Sequence, residues 1–321
     1  MMFVFLLTDI FFYIIIFTLG LYIFYVRKTK DILETWKHVF RSRTGIISIV
    51  VLSFFLIIAI LDSIHIKEKT YNEQTKSFSY EAEIKSVLDI ILLPTYENTE
   101  KSYSSPFSSN LYSKETVIIE KNIEKRVYPK LLYKGNHNKY ASENVTNISI
   151  TFMVSLFKYI LIFTIFYVFF YFRIIFRSKN NIFNPLKENK VFFTTLSVII
   201  LLSIFLYELS LQYYVLGTDK VGVDVLYKSI KSIRTGILIG TLTTIVMLPF
   251  AIFLGIFAGY IGGFVDDIIQ YVYTTLNSIP SVLLIASAIL MLQVYMANNP
   301  LNFENIYERA DLRLFFLCMI L

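Results

Sequence analysis

The stretch GTDKVGVD, residues 217–224, sets two carboxylates, Asp219 and Asp224, beside two glycines, Gly217 and Gly222. Glycine reaches backbone conformations closed to other residues. An aspartate ahead of a helix accepts hydrogen bonds from backbone N–H groups that the first turn leaves unpaired. Together these residue types build a capped turn. The continuation, DVLYKSIKSIRTG, puts Val225, Leu226, Ile230 and Ile233 near one helical face and Lys228, Lys231 and Arg234 mostly elsewhere, the pattern of an amphipathic helix at a membrane interface. Two readings stand side by side: an elbow that meets a partner, or a capped corner that only orients the span beginning near Gly236.

Other chemistry is scarce. His38, His65 and His137 lie far apart and share no helical face, so no metal site is expected. The single Cys318 excludes an internal disulfide and a multi-cysteine metal centre. No G-x-x-x-x-G-K-[ST] stretch occurs, so the chain has no phosphate-cradling loop of its own. Neither catalytic residues nor a cofactor are expected, and no soluble catalytic domain is visible.

The elements that must position the turn are membrane spans. Hydrophobic residues make up 55% of the 321, charged residues only 17%, and the apolar runs are too long and continuous for a soluble protein. They lie at 2–26, 44–64, 148–172, 191–214, 236–259 and 272–296, with a seventh begun at 312–321. A run of about 20 apolar residues crosses the hydrocarbon layer as a helix; a spanning β-barrel would alternate with period two. The fold expected is an all-α integral membrane protein, a multi-span bundle of six complete spans and a partial seventh in the lipid bilayer. The formal net charge of +6 fits cytoplasmic anchoring charge rather than nucleic-acid binding.

The first run carries Arg27, Lys28 and Lys30 after its apolar stretch and no small-residue cleavage pattern, which marks an uncleaved anchor rather than a signal peptide. The short loops 27–43 and 173–190 are both basic, so both belong in the cytoplasm. The N-terminus and the polar segment 65–147 are then extracytoplasmic, as is the 217–224 turn. Segment 65–147 holds an amphipathic stretch at 81–94, ended by Pro94, followed by a Ser- and Tyr-rich stretch at 99–115; it reads either as a contact surface or as a spacer. Within the spans, Lys158 is an intramembrane charge that invites a functional reading, whereas Asp9 lies near an outer end and is more easily hydrated. Pro249 and Pro280 sit inside apolar runs where each can kink a helix. Gly255 and Gly259, with Gly262 and Gly263 beyond, have the spacing that lets helices approach closely in lipid.

In register over about 215–296, Gly217, Thr218, Asp219, Gly222, Asp224, Val225, Arg234, Gly240, Gly259, Tyr260, Gly262, Gly263, Asp266, Pro280 and Ser281 resemble the permease subunits of binding-protein-dependent ABC importers, more narrowly the C-type permease of the dipeptide, oligopeptide and nickel group. That family reads roughly G-T-D-x-x-G-R-D-V, then G-x-R-x-S-L-x-x-G, then G-Y-x-G-G-x-x-D, then F-P-S. Here Val223 replaces the arginine, which removes a possible ion pair with a neighbouring carboxylate and argues against a tight polar clasp in this turn; Ser232 and Ile233 stand where a glycine is usual before Arg234.

The resemblance implies a type I importer permease that moves peptides or a related small solute across the bacterial inner membrane. It would pair with a sister permease and with cytoplasmic ATP-binding subunits, and take its solute from a periplasmic binding protein. The implied organisation is a two-span N-terminal addition at 1–64, the extracytoplasmic insertion at 65–147, a third span and basic cytoplasmic loop at 148–190, and the first part of the permease core at 191–321, with 191–214 as the helix before the turn. The family's cytoplasmic E-A-A…G loop, which docks into the ATPase, would follow beyond Leu321, so the expectation is of a C-terminally truncated permease. The other class open to this sequence is a membrane-anchored sensor or assembly protein using 65–147 as its partner-binding surface.

Overall fold

The computed structural model describes residues 2–67, 69–72, 77–80, 84–119, 123–134, 141–177, 190–300, 303 and 306–320. His137, and Lys179, Lys187 and Glu188 of the second basic loop, lie outside the described residues. In chain order the elements are β1 (Met2–Val4), α1 (Leu7–Lys28), α2 (Lys30–Arg41), α3 (Arg43–Ser63), β2 (His65–Lys67), β3 (Lys69–Asn72), β4 (Ser77–Tyr80) and β5 (Lys85–Ser86). There follow α4 (Val87–Ile91), α5 (Leu93–Tyr96), β6 (Glu115–Ile119), β7 (Ile123–Val127), α6 (Ala141–Arg177), α7 (Lys190–Gln212), α8 (Val225–Ile261), α9 (Phe264–Asn277), α10 (Ser281–Asn298) and α11 (Ile306–Ile320).

Among the described residues, six helices are long and apolar enough to cross a membrane: α1, α3, Thr146–Ile165 of α6, α7, α8 and α10. Lipid offers no hydrogen bonds to a backbone, so continuous apolar runs resolve as helices that satisfy their own N–H and C=O groups. The protein is an all-α, multi-span membrane protein with small β elements near β1–β7.

Three local expectations are corrected. The run 272–296 is not one span: α9 ends at Asn277, α10 begins at Ser281, and Pro280 stands between them at the N-cap of α10 with φ −57°. Proline has no N–H to give and pushes its predecessor out of the helical region, so here it separates two helices instead of kinking one; Pro249 does lie inside α8. The helix after the turn is not a separate interfacial piece, because α8 runs unbroken from Val225 to Ile261. Pro94 does not end a helix; it occupies the first turn of α5, where its missing N–H costs nothing.

The chain forms two units. The first comprises 1–27, 59–87 and 233–321. In it β1, β2 and β5 form an antiparallel sheet in the order β1-β2-β5, with Phe3 opposite Ile66 and His65 opposite Ser86. A buried polar cluster joins distant parts of this unit. The guanidinium of Arg234 donates to Asp9 Oδ1 and, at 3.2 Å, to Thr8 Oγ1. Asp9 also accepts from Ser63 Oγ (2.6 Å) and pairs with His65 Nδ1 (2.9 Å), while the Thr8 N–H donates to Asp311 (2.9 Å). Asp9 is therefore buried and fully engaged, not hydrated: a carboxylate withdrawn from water needs a counter-charge and hydrogen-bond donors, and Arg234, Ser63 and His65 supply them. Phe11 stacks on Phe315 with ring centroids 5.3 Å apart.

The second unit comprises 28–58 and 88–232. Its helices α6 and α7 pack along a seam whose polar contacts include Thr151 Oγ1 to Gln212 Oε1 (3.3 Å), the Lys158–Glu208 ion pair, and Tyr159 with Ser197. Lys158 thus has its counter-charge on the neighbouring span, which removes the need for a functional explanation of a charge at that depth. Phe152 meets Phe205 edge-on at 5.4 Å beside the same seam.

Candidate functional site

The 217–224 turn belongs to the second unit and is held from within and from outside. Gly217 and Gly222 have φ of +78° and +83°. Within the turn, Gly222 N–H donates to Asp219 O (2.9 Å), Asp219 N–H to Val223 O (3.0 Å) and Val225 N–H to Gly217 O (3.0 Å). Asp219 Oδ1 accepts from the N–H groups of Val221 and Val223, each at 2.9 Å, and its Oδ2 receives the Lys228 ammonium. Asp219 therefore ties the turn through its backbone N–H groups and reaches the first turn of α8 through Lys228, a side chain, rather than by capping a helix N–H. Asp224 Oδ1 accepts from Leu226 N–H at 2.9 Å, in the position of an N-cap of α8.

The outer hold comes from the Ser- and Tyr-rich stretch of the insertion. Thr218 pairs with Ser104 across an isolated antiparallel bridge; its Oγ1 donates to Ser102 O (2.7 Å), and its N–H reaches Ser104 Oγ (3.1 Å). Glu100 N–H donates to Gly222 O at 2.9 Å. This approach is so close that a Cβ on Gly222 would run into the Glu100 carbonyl oxygen, and one on Gly217 into that of Ser104. The two glycines are thus required twice, by their positive φ and by a neighbouring backbone. The Glu100 side chain accepts from the N–H groups of Leu132 (2.9 Å) and Tyr133 (2.9 Å), and from the Tyr214 hydroxyl (3.3 Å).

A cation completes the clasp. Lys134 Nζ lies 3.0 Å from Asp224 Oδ2, with side chains only 1% and 0% exposed, and 4.6 Å from the centroid of the Tyr214 ring. The turn is a tight polar clasp after all: Val223 carries no charge, but a lysine from the insertion supplies it. Burial pulls the Lys134 ammonium below the usual lysine range, with Asp224 and then Glu100 acting against that fall. Burial, and next the Glu100 charge, push the Tyr214 phenol upward, so it stays a neutral donor. Tyr214 packs with Leu111 and Leu131, while Leu226 closes a second apolar cluster with Leu209 and Val215. On the first turns of α8, Lys231 Nζ binds both oxygens of Asp89 (2.7 and 2.8 Å), which also accepts from Tyr227 OH (2.6 Å).

The other motif residues take no part in this clasp. Arg234 is in the polar cluster of the first unit. Gly240, Gly255 and Gly259 have nothing within 4 Å of a built Cβ, so no helix of the described chain uses them for close approach. Gly262 and Gly263 (φ +65° and +54°) turn the chain between α8 and α9, and Tyr260 beside them is 89% exposed. Asp266 lies in the first turn of α9 and accepts from Gln270 Nε2 at 3.0 Å. Lys134, Glu100, Ser104 and Tyr214 were not singled out from the sequence; only the Ser/Tyr composition of 99–115 pointed toward that stretch. Among the described residues no group of acidic, histidine or cysteine side chains could hold a metal ion.

Comparison with known proteins gives one partial similarity. Over 92 residues the chain is 33% identical to the dipeptide transport system permease protein DppC of Haemophilus influenzae. The similarity is to a permease. It covers 29% of this chain and 31% of that relative. No family model matches the chain, and no solved structure matches it.

Two outcomes are expected from the clasp. Gly222→Ala should lower stability by about 1–3 kcal/mol through its positive φ, with the Glu100 carbonyl adding to the loss. Gly240→Ala, in open space within a helix, should be neutral or stabilising. Thermal unfolding in detergent checks both, and a Gly222→Ala protein as stable as the parent would refute the steric account. The second outcome concerns pH. Burial acts to raise the Asp219 pKa, but the Lys228 ammonium and the N–H groups of Val223 and Val221 outweigh it and hold it below the ordinary 3.8. A depressed carboxyl contributes stability that is complete above the unfolded pKa and is lost as pH falls through the folded one. The gap in stability between the parent and Asp219→Asn should be flat near neutrality and narrow below ~pH 4. A gap unchanged down to strongly acid pH would remove Asp219 from this role.

Proposed function

We propose that the chain is a transmembrane permease subunit of an ABC importer that moves peptides or a related small solute across the bacterial inner membrane. Separate cytoplasmic ATPase subunits drive it, a sister permease completes the pathway, and a periplasmic binding protein delivers the solute. The observation that carries this reading is the clasped 217–224 elbow at the head of a long span, in a chain of which 92 residues are similar to a dipeptide permease. In this proposal the elbow is extracytoplasmic and the 88–134 stretch forms part of its outer surface. The unfilled glycine positions and exposed apolar residues of α8, Phe250, Phe253 and Ile256 among them, support a span with room for a neighbouring subunit.

Affinity purification of the tagged chain from native membranes, with mass spectrometry of what accompanies it, is expected to return a second permease and ATP-binding subunits; recovery of sensor or assembly partners without either would overturn the reading. Orientation has its own check. In a Cys318→Ser background, a cysteine at Ser108 should react with an impermeant thiol reagent added to spheroplasts, and one at Thr35 only after lysis. The reverse pattern would invert the proposed topology.

A further inference from the structure

The segment that links the first two spans is more than a basic loop. Thr29 is extended (φ −101°, ψ 110°), α2 occupies Lys30–Arg41, and Ser42 is extended again (φ −74°, ψ 138°), so the helix direction changes at both ends. The second corner is closely built. The Ser42 N–H donates to His38 O (3.1 Å), Gly45 N–H donates to Ser42 Oγ (3.1 Å), and a Cβ on Gly45 would collide with the Val39 carbonyl. One residue separates α2 from the span α1 and one from the span α3. A helix tied that closely to spans at both ends has to remain at the membrane surface.

The residues of α2 fit that place. At 100° per residue, Ile32, Leu33, Trp36, Val39 and Phe40 fall within an arc of roughly a third of a turn, and the Trp36 and Phe40 rings are neighbours at 6.3 Å. No residue of the helix is fully buried: Val39 and Phe40 are exposed, and Ile32, Leu33 and Trp36 are partly covered. Lys30, Glu34, Lys37 and Arg41 take the opposite side, and Arg27, Lys28 and Arg43 flank it. The exposed basic residues Arg27, Lys28, Lys30, Lys37, Arg41 and Arg43 outnumber Asp31 and Glu34. An apolar arc with aromatic rings and a basic polar face is the composition of a helix lying in the headgroup layer, and clustered lysines and arginines beside a span attract anionic lipid.

We propose that α2 is an in-plane lipid-binding helix, its Trp36 face seated at the acyl-headgroup boundary and its basic face collecting anionic phospholipid. The assignment rests on the membrane-spanning fold and is independent of the permease reading. Trp36 is the single tryptophan of the chain, so its fluorescence reports on α2 in the intact protein. The purified full chain is reconstituted in phosphatidylcholine vesicles with or without phosphatidylglycerol, with tryptophan excited at the red edge of its band.

Emission should be blue-shifted and strongly quenched by lipids brominated close to the headgroup. Lipids brominated near the methyl end, and iodide in water, should quench weakly. At equal mole fraction, brominated phosphatidylglycerol should quench several-fold more effectively than brominated phosphatidylcholine, and salt should reduce that preference. The triple variant Lys30→Gln, Lys37→Gln, Arg41→Gln should lose the preference and keep the shallow quenching; should it not fold, the salt series on the parent decides the electrostatic part. Trp36 open to iodide, quenched best by deep bromines, or shielded from lipid and iodide alike by protein would overturn the in-plane placement. Equal quenching by the two brominated lipids would overturn the anionic site.

Discussion

Lys134 and Asp224 leave water together, and the elbow is built around that fact. Withdrawing two charges from solvent costs several kcal/mol for each ion, and their attraction offsets the cost only when the remaining donors and lone pairs are also satisfied. Part of that is met here: the second oxygen of Asp224 caps α8 through Leu226 N–H, and the ammonium lies against the Tyr214 ring. Removing either partner would strand the other, which typically costs about 3–5 kcal/mol. The pair therefore makes helix capping conditional on the insertion being in place. Glu100 adds a second tie of the same kind, binding the backbone of 132–133 with its carboxylate and the turn with its N–H.

The spans handle polarity in the same way. Arg234 with Asp9, and Lys158 with Glu208, each set a cation against a carboxylate from a distant part of the chain. In an apolar medium an ionisable group is tolerated when it has a partner, so each pair selects one packing of its helices over those that would leave a charge alone. Aromatic contacts such as Phe152 with Phe205 and Phe11 with Phe315 accompany these pairs without fixing register as sharply.

What was legible in the residues was local. Continuous apolar runs announced the spans, because lipid leaves a backbone no alternative to the helix. Gly217 and Gly222 announced a turn because they bracket Thr218, Asp219 and Lys220 between two apolar runs, and Asp224 sits where a cap belongs. The partners were not legible. Lys134 meets Asp224 across 90 positions and Arg234 meets Asp9 across 225, and no spacing rule links residues so far apart. Hence a turn lacking its expected arginine read as loose, and Asp9 read as hydrated. The amphipathic α2 is masked in the sequence by its own charges, because a short basic segment between two spans has the composition of a cytoplasmic loop. Pro280 was placed in a span because the runs on either side merge when proline is scored only as a possible kink.

The order of residues in the clasp also sets an order of events in synthesis. The stretch holding Glu100, Ser102 and Ser104, and Lys134 after it, leave the ribosome well before Gly217–Asp224. Between them come α6 and α7, two apolar helices that must be inserted before the turn is made. During that interval the 98–134 stretch lacks the backbone it pairs with, and Lys134 lacks its carboxylate. Its ties to the turn form only once the turn arrives. A nascent chain stalled inside α7 would thus lack the ties that hold residues 100–104 and Lys134 in the finished protein, and limited proteolysis would separate stalled chains from completed ones.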